Sequence, residues 1–243
     1  MNKLSVTIIT FNEEARIGKC LKSIQSIADE IIVVDSFSTD NTVVICKQYG
    51  ARVIQREWTN FGDSKRFAVA SASFDRILSL DADEVLSPEL HQSILKVKEH
   101  WNVDAYTFNR LNFVGEKAIR HGVWYPDVKI RLFDRRKANW ENKRVHESVA
   151  PETHDCKVSH LSGDLLHYSY KDIDDLRKSS KAKLYTGMYV KKKTIPKLLL
   201  LLKISFVFIQ TYFLKLGFLD GKAGYEIAKF RVRYIQLKYS SVK

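Results

Sequence analysis

Strand-like and helix-like segments alternate four times within the first hundred residues, and this alternation restricts the possible fold more than any other feature of the chain. Residues 4–10, Leu-Ser-Val-Thr-Ile-Ile-Thr, are short and β-branched, as a strand buried in a parallel sheet should be. From Asn12 the pattern turns helical. Asn12 is placed to cap, Glu13 and Glu14 complement the positive helix end, and Ile17, Leu21, Ile24 and Ala28 share a face. Ile31–Val34 reads as a second strand closed by Asp35, and a helix capped by Ser38 or Thr39 runs to Gly50. Arg52–Gln55, Asn60–Ser73 and Arg76–Leu80 continue as strand, helix and strand. Ser87-Pro88 then opens a helix with Leu90, Ile94 and Val97 inward. The order predicts an α/β fold, with right-handed crossovers, a mixed, mostly parallel sheet and helices on both faces. The first strand-to-helix turn, residues 10–14, has no glycine, which removes the G-x-G-x-x-G dinucleotide fingerprint and the P-loop.

Four residues, Asp81-Ala82-Asp83-Glu84, follow directly on the fourth strand. Two carboxylates one residue apart at a buried strand end repel each other and lose solvation. Such a pair is tolerated where a hard divalent cation lies between it and an anion such as a substrate phosphate. The competing reading is a surface turn with Glu84 starting the next helix. The three cysteines, Cys20, Cys46 and Cys156, are far apart and lack CxxC spacing, so they read as free thiols and assemble no zinc site. The apolar run after Lys3 ends at Asn12-Glu13-Glu14, too short for a secretory signal.

Beyond residue 105 the alternation stops. Asp104–Arg110 and Lys129–Phe133 look like strands, and between and after them lie irregular stretches with Trp124, Tyr125, Pro126, Trp140 and several histidines. Aromatic loops beyond a sheet serve as a lid, or as the flat surfaces on which a sugar stacks. The seven histidines follow no H-E-x-x-H spacing.

Three blocks occur in order: Thr10-Phe11-Asn12-Glu13-Glu14, then Val33-Val34-Asp35-Ser36-Phe37-Ser38-Thr39-Asp40-Asn41-Thr42, then Asp81-Ala82-Asp83. With them the chain resembles the family 2 glycosyltransferases, inverting enzymes of the GT-A fold that use nucleotide-sugar donors. Shorter stretches, Lys129–Phe133, Arg144-Val145-His146-Glu147 and His167–Tyr170, resemble the branch that adds β-linked glucose to the inner core of bacterial lipopolysaccharide. The resemblance implies a GT-A (Rossmann-like) catalytic domain over residues 1–170, its nucleotide-sugar half at 1–103 and its acceptor half at 104–170. It implies that Thr10, Phe11 and Glu13 line the nucleoside pocket, that Lys65 or Arg66 meets the diphosphate, and that Asp81-Ala82-Asp83 is the metal-binding motif, with Mg²⁺ or Mn²⁺ as cofactor. Asp83 would hold the cation, with Asp81 on the ribose or a metal-bound water, and His167 would give a third ligand or serve as a hydrogen-bonding core residue. Asp35 at the second strand's end suits the imide N–H of a uracil, or caps the turn after it. Glu147 is the candidate base, ahead of Asp127 and Glu141, or it is an ion-pair partner; Trp124, Tyr125 and His146 are assigned to the acceptor site.

The net charge of +12 is confined to one part of the chain: residues 171–243 hold 17 Lys/Arg against 5 Asp/Glu, while residues 1–170 are neutral. This basic tail points to a polyanionic surface. Leu198–Leu216 is strongly apolar but interrupted by Lys203, Gln210 and Lys215, which predicts an amphipathic helix lying in a membrane interface rather than crossing it. Gly217–Gly221 reads as a turn and Tyr225–Lys238 as a final basic helix. The expected protein is an enzyme peripheral to the cytoplasmic face of a bacterial plasma membrane, moving glucose from UDP-glucose onto a lipid-linked saccharide. Transfer to a polyprenyl phosphate is the alternative within the family. A non-catalytic nucleotide-sugar binder is the alternative outside it. Nucleic-acid binding is not expected, because no recognition motif accompanies the basic charge.

Overall fold

The computed structural model describes residues 2–143, 147–179 and 193–242. Strands β1 (Leu4–Thr10), β2 (Glu30–Asp35), β3 (Arg52–Gln55) and β4 (Arg76–Asp81) run parallel in the order β3-β2-β1-β4. Helices α1 (Ile17–Ile24), α2 (Thr42–Gln48) and α3 (Phe61–Ala70) connect them. Because β2 lies on one side of β1 and β4 on the other, the strand order reverses at β1, which opens a crevice at the carboxyl ends of the strands. The sheet continues through β8 (Val128–Asp134), antiparallel to both β4 and β6 (Ala105–Val114), then β11 (Val158–Tyr170), and ends at β5 (Glu84–Leu86), antiparallel to β11. Helix α4 (Pro88–Glu99) follows β5, with the Ser87 side chain accepting from the Leu90 N–H at 3.2 Å.

Both faces of the sheet are covered. Val6, Ile8 and Leu78 pack with Ile17, Leu21 and Ile24 of α1 and Leu90 and Ile94 of α4. Ile32, Ile77 and Phe133 pack on the other side with Val69 of α3 and Trp140. Each fully buried aliphatic or aromatic side chain of this kind contributes about 1.5–3 kcal/mol. Trp140 ends β9 (Ala138–Trp140), which pairs antiparallel with β10 (Val149–Pro151).

Four local readings differ from the structure. Asn12 does not cap α1, which starts at Ile17 without a side-chain cap. Instead Asn12 takes a left-handed backbone (φ 53) and its Oδ1 accepts from the Thr39 N–H at 2.8 Å. Helix α2 likewise begins at Thr42 rather than after Ser38 or Thr39. Glu84 opens strand β5 instead of a helix, because β11 pairs with it in the register Leu165↔Leu86 and His167↔Glu84. The 13-residue strand β11 itself falls in a stretch expected to be irregular. It passes α4 closely at Gly163, where φ is +100 and an added Cβ would lie 2.2 Å from the Leu90 nitrogen.

The chain divides into two compact units, residues 1–110 with 128–167, and residues 111–127 with 168–243. In the second, the two-residue strand β7 (Lys117–Ala118) pairs with Phe113 and Val114. Helix α5 (Ile173–Lys178), strand β12 (Lys193–Pro196), helix α6 (Lys197–Ile209), a π-helical turn at Gln210–Leu214, a 3₁₀ turn at Gly217–Asp220, helix α7 (Gly221–Lys238) and strand β13 (Tyr239–Val242) complete it. Its core contains Ile119, Tyr170, Leu176, Ala223 and Ile227, with Trp124 and Phe230 against them. The lysine-rich residues expected over 181–192 lie outside the described residues.

The polarity of α6 is inverted. Leu198, Leu202, Phe206, Ile209, Phe213 and Leu214 are exposed, from 46% to 70%, while Lys203 and Gln210 are half-buried and Thr211 is buried. Lys203, Gln210 and Thr211 therefore turn inward while the apolar side meets solvent, together with the exposed Lys215. Lys197–Leu214 has a mean hydropathy of 1.7 and is the one helix among the described residues long and apolar enough to cross a membrane.

Candidate active site

The carboxyl end of β4 gathers the charged residues of the first unit. Asp81 ends the strand, and its N–H donates to Glu84 Oε2 at 2.9 Å, closing the Asp81–Glu84 turn. Ala82 is buried in the core beneath it. Lys65, from the middle of α3, is 3% exposed; its Nζ lies 2.8 Å from Asp81 Oδ1 and 3.0 Å from Glu147 Oε1. Arg131, from β8, is equally enclosed, and its guanidinium lies 3.2 Å from Asp81 Oδ2 and 3.3 Å from Glu84 Oε1. The two cations share one aromatic support: Lys65 Nζ is 4.3 Å and Arg131 Cζ 4.7 Å from the Trp140 ring centre. Trp140 is fixed in turn by its indole N–H, which donates to Ser79 Oγ at 3.0 Å.

Burial pushes the Asp81 carboxyl up, but Lys65 and Arg131 outweigh it and hold the group well below the usual carboxylate range. Both Asp81 oxygens are thus matched by cations of the protein. Asp83 differs: its Oδ2 lies 3.4 Å from His167 Nε2, with 17% and 14% of the two side chains exposed. Strand pairing explains the meeting, since His167 stands opposite Glu84 in the β11–β5 register. An oxygen and an imidazole nitrogen this close reach one ion with bonds of about 2.1 Å, so the pair fits a small divalent cation. Among the described residues no third His, Cys, Asp or Glu joins them. An ion held there would need its remaining ligands from water or from a bound anion.

Of the remaining sequence candidates, Thr10 is buried at the end of β1, and its Oγ1 has no hydrogen-bond partner among the described residues. Phe11 is 56% exposed. Glu13 pairs with Arg16 at 3.1 Å and its N–H donates to Thr42 Oγ1 at 2.8 Å. Asp35 is fully buried, and its carboxylate accepts from the Ser38 N–H at 2.9 Å and from Ser38 Oγ. Its carboxylate is therefore committed to the turn after β2. Lys65 faces the cluster, whereas Arg66 donates to the Trp140 carbonyl at 2.6 Å and lies 3.9 Å from Glu152, anchoring β9. Glu141 is taken by Ser148 Oγ and Lys143 Nζ, each at 2.5 Å. Asp127, Trp124 and Tyr125 belong to the second unit, where Trp124 stacks on Tyr170 with ring centres 5.9 Å apart. His146 lies outside the described residues.

Sequence reasoning gave no site role to Arg131, Glu84 or Trp140. Arg131 carried a signal: a charge between Ile130 and Leu132 in a strand that is apolar through Phe133 needs a buried partner.

The glycosyl transferase family 2 pattern matches residues 5–152. An uncharacterised glycosyltransferase of Rickettsia typhi is 32% identical over 246 residues, covering 93% of this chain and 81% of that one. The lipopolysaccharide core biosynthesis glycosyltransferase LpsC of Rhizobium meliloti is 28% identical, covering 90% of this chain and 82% of its own. Among solved structures, glucosyl-3-phosphoglycerate synthase from Mycobacterium tuberculosis, crystallised with Mn²⁺ and UDP, is similar at 25% identity and a TM-score of 0.39. That match covers 46% of this chain, which spans 44% of the synthase.

Proposed function

Because the chain belongs to glycosyl transferase family 2, we propose that it moves a hexose from a nucleotide-sugar donor onto a hydroxyl of a lipid-linked saccharide, with inversion at the anomeric carbon. The donor in this reading is UDP-glucose. The acceptor is the lipopolysaccharide core, a choice supported by the similarity to LpsC. The observation that carries the reading is the Asp83–His167 pair, 3.4 Å apart, beside an Asp81 carboxylate matched by Lys65 and Arg131.

Asp83 and His167 would hold Mg²⁺ or Mn²⁺, which when bound neutralises charge on the departing diphosphate. Asp81, kept ionised by its two cations, accepts from a ribose hydroxyl and so sets the position of the nucleoside. Phe11, exposed at the end of β1, offers its face to the base. Glu147 takes the proton of the acceptor hydroxyl as that oxygen attacks opposite the leaving group, which produces inversion. Trp124, Tyr125 and His146 remain our assignment for the acceptor.

Calorimetry with UDP, with and without Mn²⁺, tests the donor side. Wild type is expected to bind UDP in a metal-dependent manner, and Asp83→Asn to lose at least about tenfold in affinity, or about 1.4 kcal/mol. Tighter binding of GDP than of UDP would reassign the base, and binding of neither would end the reading.

The outward apolar side of α6 and the +12 excess of residues 171–243 support attachment to the inner face of the bacterial plasma membrane. Each Lys or Arg near an anionic leaflet adds about 1 kcal/mol. The protein should therefore sediment with anionic liposomes in low salt, and with neutral ones through α6 alone but less completely. Indifference to both would remove the membrane from the proposal.

A further inference from the structure

We propose that Phe37 contacts the nucleobase of the donor and, with Phe11, determines how tightly the nucleoside is held. The inference rests on the nucleotide-sugar reading above and extends it to a residue outside the metal and phosphate chemistry.

Phe37 has a left-handed backbone, with φ at +61. For a bulky side chain that conformation is an outlier, because Cβ crowds the neighbouring carbonyl. A glycine would take the same turn without strain. The ring recovers only part of the gain of a buried aromatic in return, since Phe37 is 51% exposed. A strained backbone carrying an exposed aromatic ring is a cost to folding, and such costs persist where the surroundings over-determine the conformation and the side chain has a use.

The surroundings do over-determine it. The turns after β1 and β2 are tied together from both sides. Asn12 N–H donates to Ser38 Oγ at 2.8 Å, and Thr39 N–H to Asn12 Oδ1 at 2.8 Å. Glu14 N–H donates to Asp40 Oδ2 at 3.1 Å, and Asn41 N–H to Glu14 Oε2 at 3.0 Å. Asn12, the other non-glycine residue in these two turns with positive φ, stands directly after Phe11. Thr10 and Asp35 are register partners, so Phe11 and Phe37 leave adjacent strand ends one and two residues on. Both rings are thus presented by a cross-linked pair of turns at the end of the sheet where the charged cluster lies. A flat apolar ring fixed in water at that position suits a nucleobase, whose face stacks on aromatic side chains.

The test compares wild type, Phe37→Gly and Phe37→Tyr by calorimetry, using UDP, or GDP should wild type bind it more tightly, and inorganic pyrophosphate, all with Mn²⁺. Phe37→Gly should lose about tenfold in affinity for the nucleotide, a typical share of one stacking contact. It should keep wild-type affinity for pyrophosphate, which has no base, and Phe37→Tyr should keep both. In steady state the loss should fall on KM for the donor rather than on kcat, and the melting temperature should not drop. Unchanged nucleotide affinity in Phe37→Gly, or an equal loss for pyrophosphate, would overturn the proposal. Failure of wild type to bind any nucleotide would instead bring down the reading on which it rests.

Discussion

Lys65→Met is expected to cost the fold about 3–5 kcal/mol, because it removes one member of a buried ionic cluster and leaves its partners behind. Lys65 is 3% exposed and bridges Asp81 and Glu147, and methionine fills most of the same space beneath the Trp140 ring. For a chain of this size the melting temperature should fall by roughly 6–20 °C. The loss should also depend on pH with a definite sign. Asp81 titrates below its unfolded value in the wild type, so its stabilising contribution is complete above about pH 4 and disappears as pH falls through the lower folded value. Without Lys65 the buried Asp81 carboxyl protonates more readily, so the variant should approach wild type as pH is lowered from 7 towards 4. Urea melts across that range measure it. A gap below about 1 kcal/mol, or one insensitive to pH, would mean that Arg131 alone holds the cluster together.

Glu147→Gln should lower kcat by about 10²–10⁴-fold, the usual share of a positioned base. The amide keeps the shape of the side chain and still accepts from Lys65 Nζ, which lies 3.0 Å from the wild-type carboxylate. Nucleotide affinity should therefore stay within about twofold of wild type, well inside one tenfold step of 1.4 kcal/mol. Initial rates at saturating donor, beside calorimetric UDP binding, separate the two quantities. Near-normal turnover would remove Glu147 as base and favour an acceptor that arrives ionised, such as a polyprenyl phosphate. Lost turnover together with lost UDP binding would make Glu147 only a support for Lys65.

The parallel half of the sheet was legible because its elements are local: Leu4–Thr10 carries its own β-branched pattern, Arg76–Asp81 a short apolar run, and Ser87-Pro88 its own helix start. Asp81 and Asp83 were legible as a pair for the same reason. Their division of labour was not, since it depends on residues 16 and 50 positions away along the chain, Lys65 and Arg131. Nor was the meeting of Asp83 with His167 derivable from spacing, because the register of β11 on β5 creates it. Asn12 misled because an asparagine before a helix suits capping and a left-handed turn equally, and contacts to Thr39, 27 residues on, decided between them. The apolar run 198–216 was read as an amphipathic helix for a membrane interface, and Leu198, Leu202, Phe206 and Ile209 do turn outward.

If the protein attaches to the membrane as proposed, the outward-facing side of α6 changes how it finds its acceptor. A catalyst held at a surface no longer searches a volume; it diffuses within a plane that an acyl-anchored saccharide shares. Confinement of this kind raises the local concentration of the two by orders of magnitude without any new contact at the reacting atoms. A loose grip on the sugar acceptor would then suffice, and turnover would follow the crowding of the leaflet more closely than the amount of acceptor in the cell.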